Sequence, residues 1–465
     1  MSFVLALLLF ASDESAESID QSLKRFIQVF AAVTENAADP VNPAQALYEG
    51  AIPGMLRQLD PHSVFFTPSQ FEQLRELEKS TRKGFGSIVS LLPGRVIVLQ
   101  TLPGTPSAKA GLNPGDEILA INGYRLDRLE VEQLVQLLTE ARQHQVRLEV
   151  RRPGNARLLP LLLTPEDVEA SNVDRVFTLR DGFGYIRATS FDVHTGTQIR
   201  DAIEKLGGAS LKGLVLDLRN NPGGVMQSAV QTAALFLEPG KVVVSVRGRS
   251  VKGEEAVVPP DAKPYRFPLA VLIDGKSASA SEIVAGAVED HKRGTIIGQQ
   301  SFGKGLVQAV FPLSQGSGLA LTTAFYYTPN GRSIQRPLPG ALEHITADRT
   351  GGITPAVVVG PEPMTRLRAF LESTGILTGF ATEYVSRNKI DQSFDFSNAL
   401  LDELQTALSA RNIRPGLAEW SADREWIRSR LKQELFTLAL GVARGDQVEL
   451  TRDPAVLEAL RALAR

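Results

Sequence analysis

Between Val173 and Gly360 short apolar runs alternate with stretches whose apolar residues recur at helical spacing, and this alternation constrains the fold more than any other feature. GYIRAT from Gly184, GLVLDL from Gly213, LAVLID from Leu269 and TIIG from Thr295 read as buried strands. Gln198–Leu206, Met226–Phe236 and Ser281–Asp290 read as the helices between them. The pattern predicts a layered α/β core, with helices packed on a sheet.

At 465 residues the chain exceeds what one hydrophobic core supports, and its pattern changes along its length. Segment 1–11 (MSFVLALLLFA) lacks the positively charged start of a secretory signal but has its apolar character, and it predicts export. From 12 to 82 the spacing of Ile19, Leu23, Phe26, Ile27 and Phe30, and of Ala46, Leu47, Ile52 and Leu56, predicts a helical domain. From 83 to 165 short strands with Gly/Pro punctuation surround one helix, Val131–Ala141. The α/β core fills 166–360. The tail, 361–465, is helical again, with Asp453-Pro454 reading as a cap followed by proline at the first helical position.

The formal charge of −2 gives no general attraction to nucleic acid or to anionic membranes. With no cysteine in the chain, disulfides, thiolate metal sites and a cysteine nucleophile are all excluded. Absence of cysteine suits cytoplasm and periplasm alike. The expectation is of no metal and no cofactor.

The stretch from Leu269 to Gln308 carries the chemistry. LAVLID leads through Gly275-Lys276-Ser277 into SASASEIVAGAVED, whose apolar face is Ile283, Val284, Ala287 and Val288. A serine between strand and helix is presented together with the backbone N–H groups that follow it, an arrangement suited to acyl transfer. Ser277, Ser279 and Ser281 are equivalent on spacing alone, and a serine here also caps a helix. None of the five histidines, His62, His144, His194, His291 and His344, has a suitable context for a base. Lys304 does, in SFGKGLVQ between Gly303 and Gly305. A lysine serves as base only when neutral, a form that desolvation favours. Gln308 can orient the amine without adding charge, and the glycine-rich DLRNNPGG from Asp217 can lend a backbone donor.

SASASEIVAGAVEDHKRGTIIG, SFGKGLVQ and DLRNNPGG, with LDPHSVFFTP, GYIRATSF and YYTPNGRSIQ, resemble in order and separation the signature blocks of the carboxyl-terminal processing peptidases. The resemblance covers about Asp39 to Val359. It implies a multidomain α/β protein: a protease core layered like the crotonase and Clp folds, an inserted mostly-β PDZ domain, and helical N- and C-terminal regions. It places the nucleophile on Ser279, the general base on Lys304 and the lysine-orienting residue on Gln308. Oxyanion donors fall on the N–H of Ala280 and on a glycine of the Gly223-Gly224 pair. Where the family often has Pro-Asp, this chain has Pro355-Ala356, a departure in a structural segment.

In the middle region GFGSIV from Gly84 offers backbone N–H groups to a terminal carboxylate and a strand edge to a peptide, at Gly84, Phe85, Gly86, Ser87 and Ile88. PSAKAGLNPGDEILAINGYRL from Pro106 resembles a circularly permuted PDZ domain of bacterial proteases. The implied partners are protein or peptide substrates with free C termini, with an adaptor lipoprotein as an open option, and a homo-oligomer. Two rivals remain: an inactive PDZ scaffold with a protease-like body, against which the intact serine, lysine and glutamine speak, and an acyl-CoA hydratase-like enzyme, in which a Ser/Lys pair would be idle.

Overall fold

A computed structural model describes residues 18–78, 81–155, 157–169, 171–251, 253–337, 351–394 and 396–464. The signal-like segment 1–11 and His344 lie outside the described residues. The described residues divide into two units, the smaller comprising 18–73 and 308–322.

In the smaller unit, helix Ile19–Asn36 starts at a reciprocal cap in which Ser18 and Gln21 exchange side-chain-to-backbone bonds. Helical residues continue from Pro43–Gln45 through the wider turn Ala46–Ala51 into Ile52–Leu59. Asp60 then closes a tight turn, accepting from the backbone N–H groups of His62 and Ser63. The short strand Val64–Phe66 pairs antiparallel with Gly318–Ala320. Leu56 and Phe71 are buried, whereas Leu23, Phe26 and Ile27 of the first helix are exposed.

In the larger unit a six-stranded sheet has the order Val173–Thr178, Phe183–Ala188, Gly213–Asp217, Leu269–Ile273, Thr295–Gly298, Val357–Val358, parallel except for its first pair. Alternate side chains of each strand face opposite layers. Ile186, Leu214, Leu216, Val271 and Ile273 pack with helices Thr195–Lys205, Met226–Ala234 and Ala280–Asp290. Tyr185, Val215, Ala270 and Leu272 pack with the last helix, Pro454–Leu463. This is why those strands read as continuously apolar. Asp453 caps the last helix as its sequence predicts, accepting from the N–H groups of Ala455 and Val456.

The inserted β domain has a five-stranded antiparallel path from Ser87–Leu92 to Leu159–Leu163, with helix Val131–Ala141 buried through Leu134. The chain enters and leaves it side by side, Thr81–Gly84 pairing antiparallel with Glu166–Glu169. The tail helices bury Leu371, Leu404, Leu408, Ile427, Leu431 and Leu435 in a core of their own. Their apolar pattern is thus satisfied within the chain.

Candidate active site

The fully buried strand Leu269–Ile273 ends at the Asp274–Ser277 turn, and helix Ala280–Asp290 starts three residues later. Asp274 Oδ1 holds the turn by accepting from the N–H groups of Lys276 and Ser277, and it also accepts from Asn220 N–H in the neighbouring loop.

Long-range contacts separate the three serines. The Ser277 hydroxyl is buried and donates to the Leu218 carbonyl at 2.8 Å. The Ser281 hydroxyl is buried and donates to the Asn221 carbonyl at 3.1 Å. Ser279 is only half-buried, and its backbone sits at φ 53° and ψ −114°. A positive φ is unusual for a side-chain-bearing residue and is retained where the surroundings over-determine it.

The loop after strand Gly213–Asp217 presses against this turn. Asn221 is wholly buried: its amide donates to the Ala188 carbonyl, its Oδ1 accepts from Gly223 N–H, and its carbonyl accepts from Ala278 N–H. A Cβ on Gly223 would stand 2.5 Å from the Ala278 oxygen and 2.8 Å from the Ala280 nitrogen. Phe191 N–H donates to the Gly223 carbonyl and Val225 N–H donates to the Phe191 carbonyl, so the intervening Gly224 N–H faces away from Phe191. Ala280 is the first residue of its helix, and its N–H therefore has no intrahelical acceptor. Deeper in, Tyr185 donates to Asp217, which also pairs with Arg219, and Arg219 reaches Asp453 at 2.8 Å. Burial, with the Asp217 charge, pushes the Tyr185 hydroxyl well above its usual pKa.

Lys304 lies in the loop following strand Thr295–Gly298 and is half-buried; no carboxylate among the described residues pairs with it. The loop is fixed by backbone contacts. Gly305 donates to Gln335 Oε1 at 2.9 Å and comes so close to the Gln335 backbone that a Cβ would stand 2.5 Å from its nitrogen. Lys304 N–H donates to Glu282 Oε2 at 2.9 Å, and the same oxygen accepts from Ser279 N–H at 2.8 Å. The two nitrogens therefore lie within two hydrogen-bond lengths of each other. Sequence reasoning missed Glu282 and Asn221. For Glu282 the signal was there, a carboxylate at the head of the apolar run EIVAGAV.

Gln308, in the smaller unit, donates its amide to the His62 carbonyl at 2.8 Å. His291 ends the helix that Ser279 begins and bonds the Val242 carbonyl, and His194 precedes helix Thr195–Lys205. Neither bonds Ser279. Gly84, Phe85, Gly86, Ser87 and Ile88 line a cavity of about 680 Å³ with Val89, Leu138, Ala141 and Arg142 of the β domain, and Val173, Asp174, Val442 and Asp446 of the core and tail complete its wall. Strand Ser87–Leu92 is an edge of its sheet, and the cavity runs alongside it.

The profile of peptidase family S41 matches residues 182–350, and a PDZ-domain profile matches residues 97–152. A carboxy-terminal-processing protease of Bartonella bacilliformis is 38% identical over 324 residues, 68% of this chain and 73% of that protein. The chloroplastic carboxyl-terminal-processing peptidase 2 of Arabidopsis thaliana is 34% identical over 312 residues, 64% of this chain and 60% of that protein. A carboxyl-terminal-processing protease of Synechocystis sp. is 34% identical over 292 residues, 62% of this chain and 68% of that protein. A likeness of this depth, spread over both the α/β core and the inserted domain, makes the chain a serine-type peptidase belonging to the carboxy-terminal-processing proteases of family S41.

Proposed function

We propose that the protein cleaves protein substrates near their C-terminal tails, with Ser279 as nucleophile and Lys304 as general base. The observation that carries this reading is the shared acceptor Glu282 Oε2, which draws the serine and lysine loops together while leaving the side chains of Ser279 and Lys304 half-buried. The neutral Lys304 amine takes the Ser279 proton as Oγ attacks the scissile carbonyl carbon. Ala280 N–H and Gly224 N–H receive the oxyanion; within the glycine pair, Gly223 N–H is already given to Asn221. The Lys304 ammonium returns the proton to the leaving amine. Water, deprotonated by the same amine, then attacks the acyl carbon; as the bond to Ser279 Oγ breaks, the lysine returns that proton to Oγ and the new carboxyl terminus is released. The resemblance gives Gln308 the lysine-orienting role; its amide is given to the His62 carbonyl, which leaves Oε1 as its acceptor.

The PDZ domain captures the substrate tail: an extended peptide adds to the edge strand Ser87–Leu92, and its carboxylate meets the backbone at Gly84–Gly86. Export rests on the apolar segment 1–11, and no helix among the described residues is long and apolar enough to cross a membrane. Self-association draws support from the exposed Leu23, Phe26 and Ile27 of the first helix rather than from the tail, whose apolar residues cover one another. Incubating the wild type and Ser279→Ala with an unfolded protein bearing an apolar tail, then mapping products by mass, tests the function. Fragments cut near the tail should come from the wild type alone, and equal products from both would refute it.

A further inference from the structure

Glu282 is a completely buried carboxylate three residues after Ser279, on a helix that continues through the buried apolar Ile283, Val284 and Ala285. An ionised carboxylate only accepts, and this one faces only donors. Oε2 accepts from the N–H groups of Ser279 and Lys304; Oε1 accepts from Gly303 N–H at 2.6 Å and from the Ser301 hydroxyl at 2.5 Å. We infer that Glu282 is a positioning residue of the active site, a carboxylate whose two oxygens hold the loop of Ser279 and the loop of Lys304 in mutual register. The inference rests on the Ser/Lys reading above.

A carboxylate in the first turn of a helix has an ordinary role, capping and complementing the helix N-terminus. That role accounts for the bond to Ser279 N–H. It does not account for the other three donors, which come from residues 301 to 304 on a separate loop. Nor does general core packing explain it, since an isolated buried charge is costly unless its hydrogen-bonding capacity is filled. Here two donors meet each oxygen. The backbone N–H of Ser279, a residue held at positive φ, and that of Lys304 are thereby fixed to one atom. Burial pushes the Glu282 carboxyl above its usual pKa against the pull of these bonds. Protonation or amidation would set a donor against two N–H groups at Oε2, or against Gly303 N–H at Oε1, and one loop would have to move.

The test uses the full-length chain. Glu282→Gln keeps size and shape but keeps only one of the two acceptor oxygens. Two readouts are compared on folded protein: kcat and KM on a quenched tail peptide, and the rate at which a fluorophosphonate labels Ser279. Displacing a catalytic group by about 1 Å costs on the order of 100-fold in rate, so kcat and labelling should both fall by that factor while KM stays within about threefold. Leu404→Ala, in the separate core of the tail helices, serves as a control of lowered stability and should keep the wild-type kcat. If Glu282→Gln does not fold, Ser301→Ala, which removes one donor to Oε1, should lower kcat several-fold at constant KM. Labelling of Glu282→Gln at the wild-type rate, an equal loss of kcat in Leu404→Ala, or unchanged kcat in Ser301→Ala would overturn the inference. Failure of the wild type itself to be labelled at Ser279 would instead refute the Ser/Lys reading beneath it.

Discussion

Gly223 lies so close to Ser279 that a Cβ on the glycine would stand 2.7 Å from the Cβ of the serine. Gly223 also has φ 92°, a conformation that side-chain-bearing residues rarely adopt. Any side chain there must displace the backbone of the Ser279 turn, since the Ala278 oxygen and Ala280 nitrogen are as near. Gly223→Ala should therefore lower kcat by about 100-fold or more, the scale of a lost oxyanion contact. Steady-state kinetics at saturating peptide check this, and near-normal kcat would show that the loop is not part of the site.

The three serines should separate cleanly. Ser277→Ala and Ser281→Ala each orphan or vacate a buried hydrogen bond and should cost about 1–3 kcal/mol in a urea titration while keeping substantial activity. Ser279→Ala should do the reverse, leaving stability within about 0.5 kcal/mol of the wild type, as expected away from buried bonds, and removing turnover. Loss of turnover in Ser277→Ala or Ser281→Ala, with Ser279→Ala active, would reassign the nucleophile.

If backbone N–H groups at Gly84–Gly86 take up a terminal carboxylate, amidating a tail peptide should weaken its binding by about tenfold or more, since a hydrogen bond to a charged group contributes about 1.5–3 kcal/mol. Replacing the last apolar residue by a charged one should weaken it as well, because Val89, Leu138 and Ala141 line the cavity. Titration calorimetry on Ser279→Ala measures both without cleavage. Equal affinity for acid and amide would refute carboxylate capture.

Asp446 gives the stability a pH dependence of definite sign. Burial pushes its carboxyl up to about 6; Arg175, at 2.8 Å, opposes the rise and the Glu449 charge adds to it. Arg187 and Asp174 face it too, with opposite effects. Because the folded pKa lies above the unfolded one, the folded state binds the extra proton between roughly pH 4 and 6, and stability falls as pH rises through that window. The window is worth at most about 3 kcal/mol. Asp446→Asn should lack this component, so its stability relative to the wild type should rise from pH 4 to pH 7 and then level off. A pH-independent difference in denaturant titrations would contradict the assignment.

Local pattern made much of the fold legible. Helix Val131–Ala141 and strand Val146–Arg151 have the extents that their spacing predicts. The helix expected from Ser281 starts one residue earlier, at Ala280, and the helix expected at Gln198–Leu206 runs Thr195–Lys205. Burial set by distant residues was not legible. The hydroxyls of Ser277 and Ser281 are committed to carbonyls 59 and 60 residues away, so spacing could not separate these serines from Ser279. Glu282 looked like an ordinary first-turn carboxylate because its other donors lie about twenty residues downstream, on the lysine loop. The bond from Arg219 to Asp453 spans 234 residues and has no local trace. The apolar stripe of Ile19–Asn36 gave the helix, but the same stripe usually signals a buried face, and here none of its residues is buried.

Whether Lys304 serves Ser279 as base is decided by the turnover of a quenched tail peptide by Lys304→Ala and Lys304→Arg. Alanine removes the amine, and a guanidinium cannot deprotonate, so neither residue can accept the serine proton. Both variants should fall to the background of Ser279→Ala while remaining folded by circular dichroism. Turnover near the wild-type rate in either folded variant would mean that another group takes the serine proton.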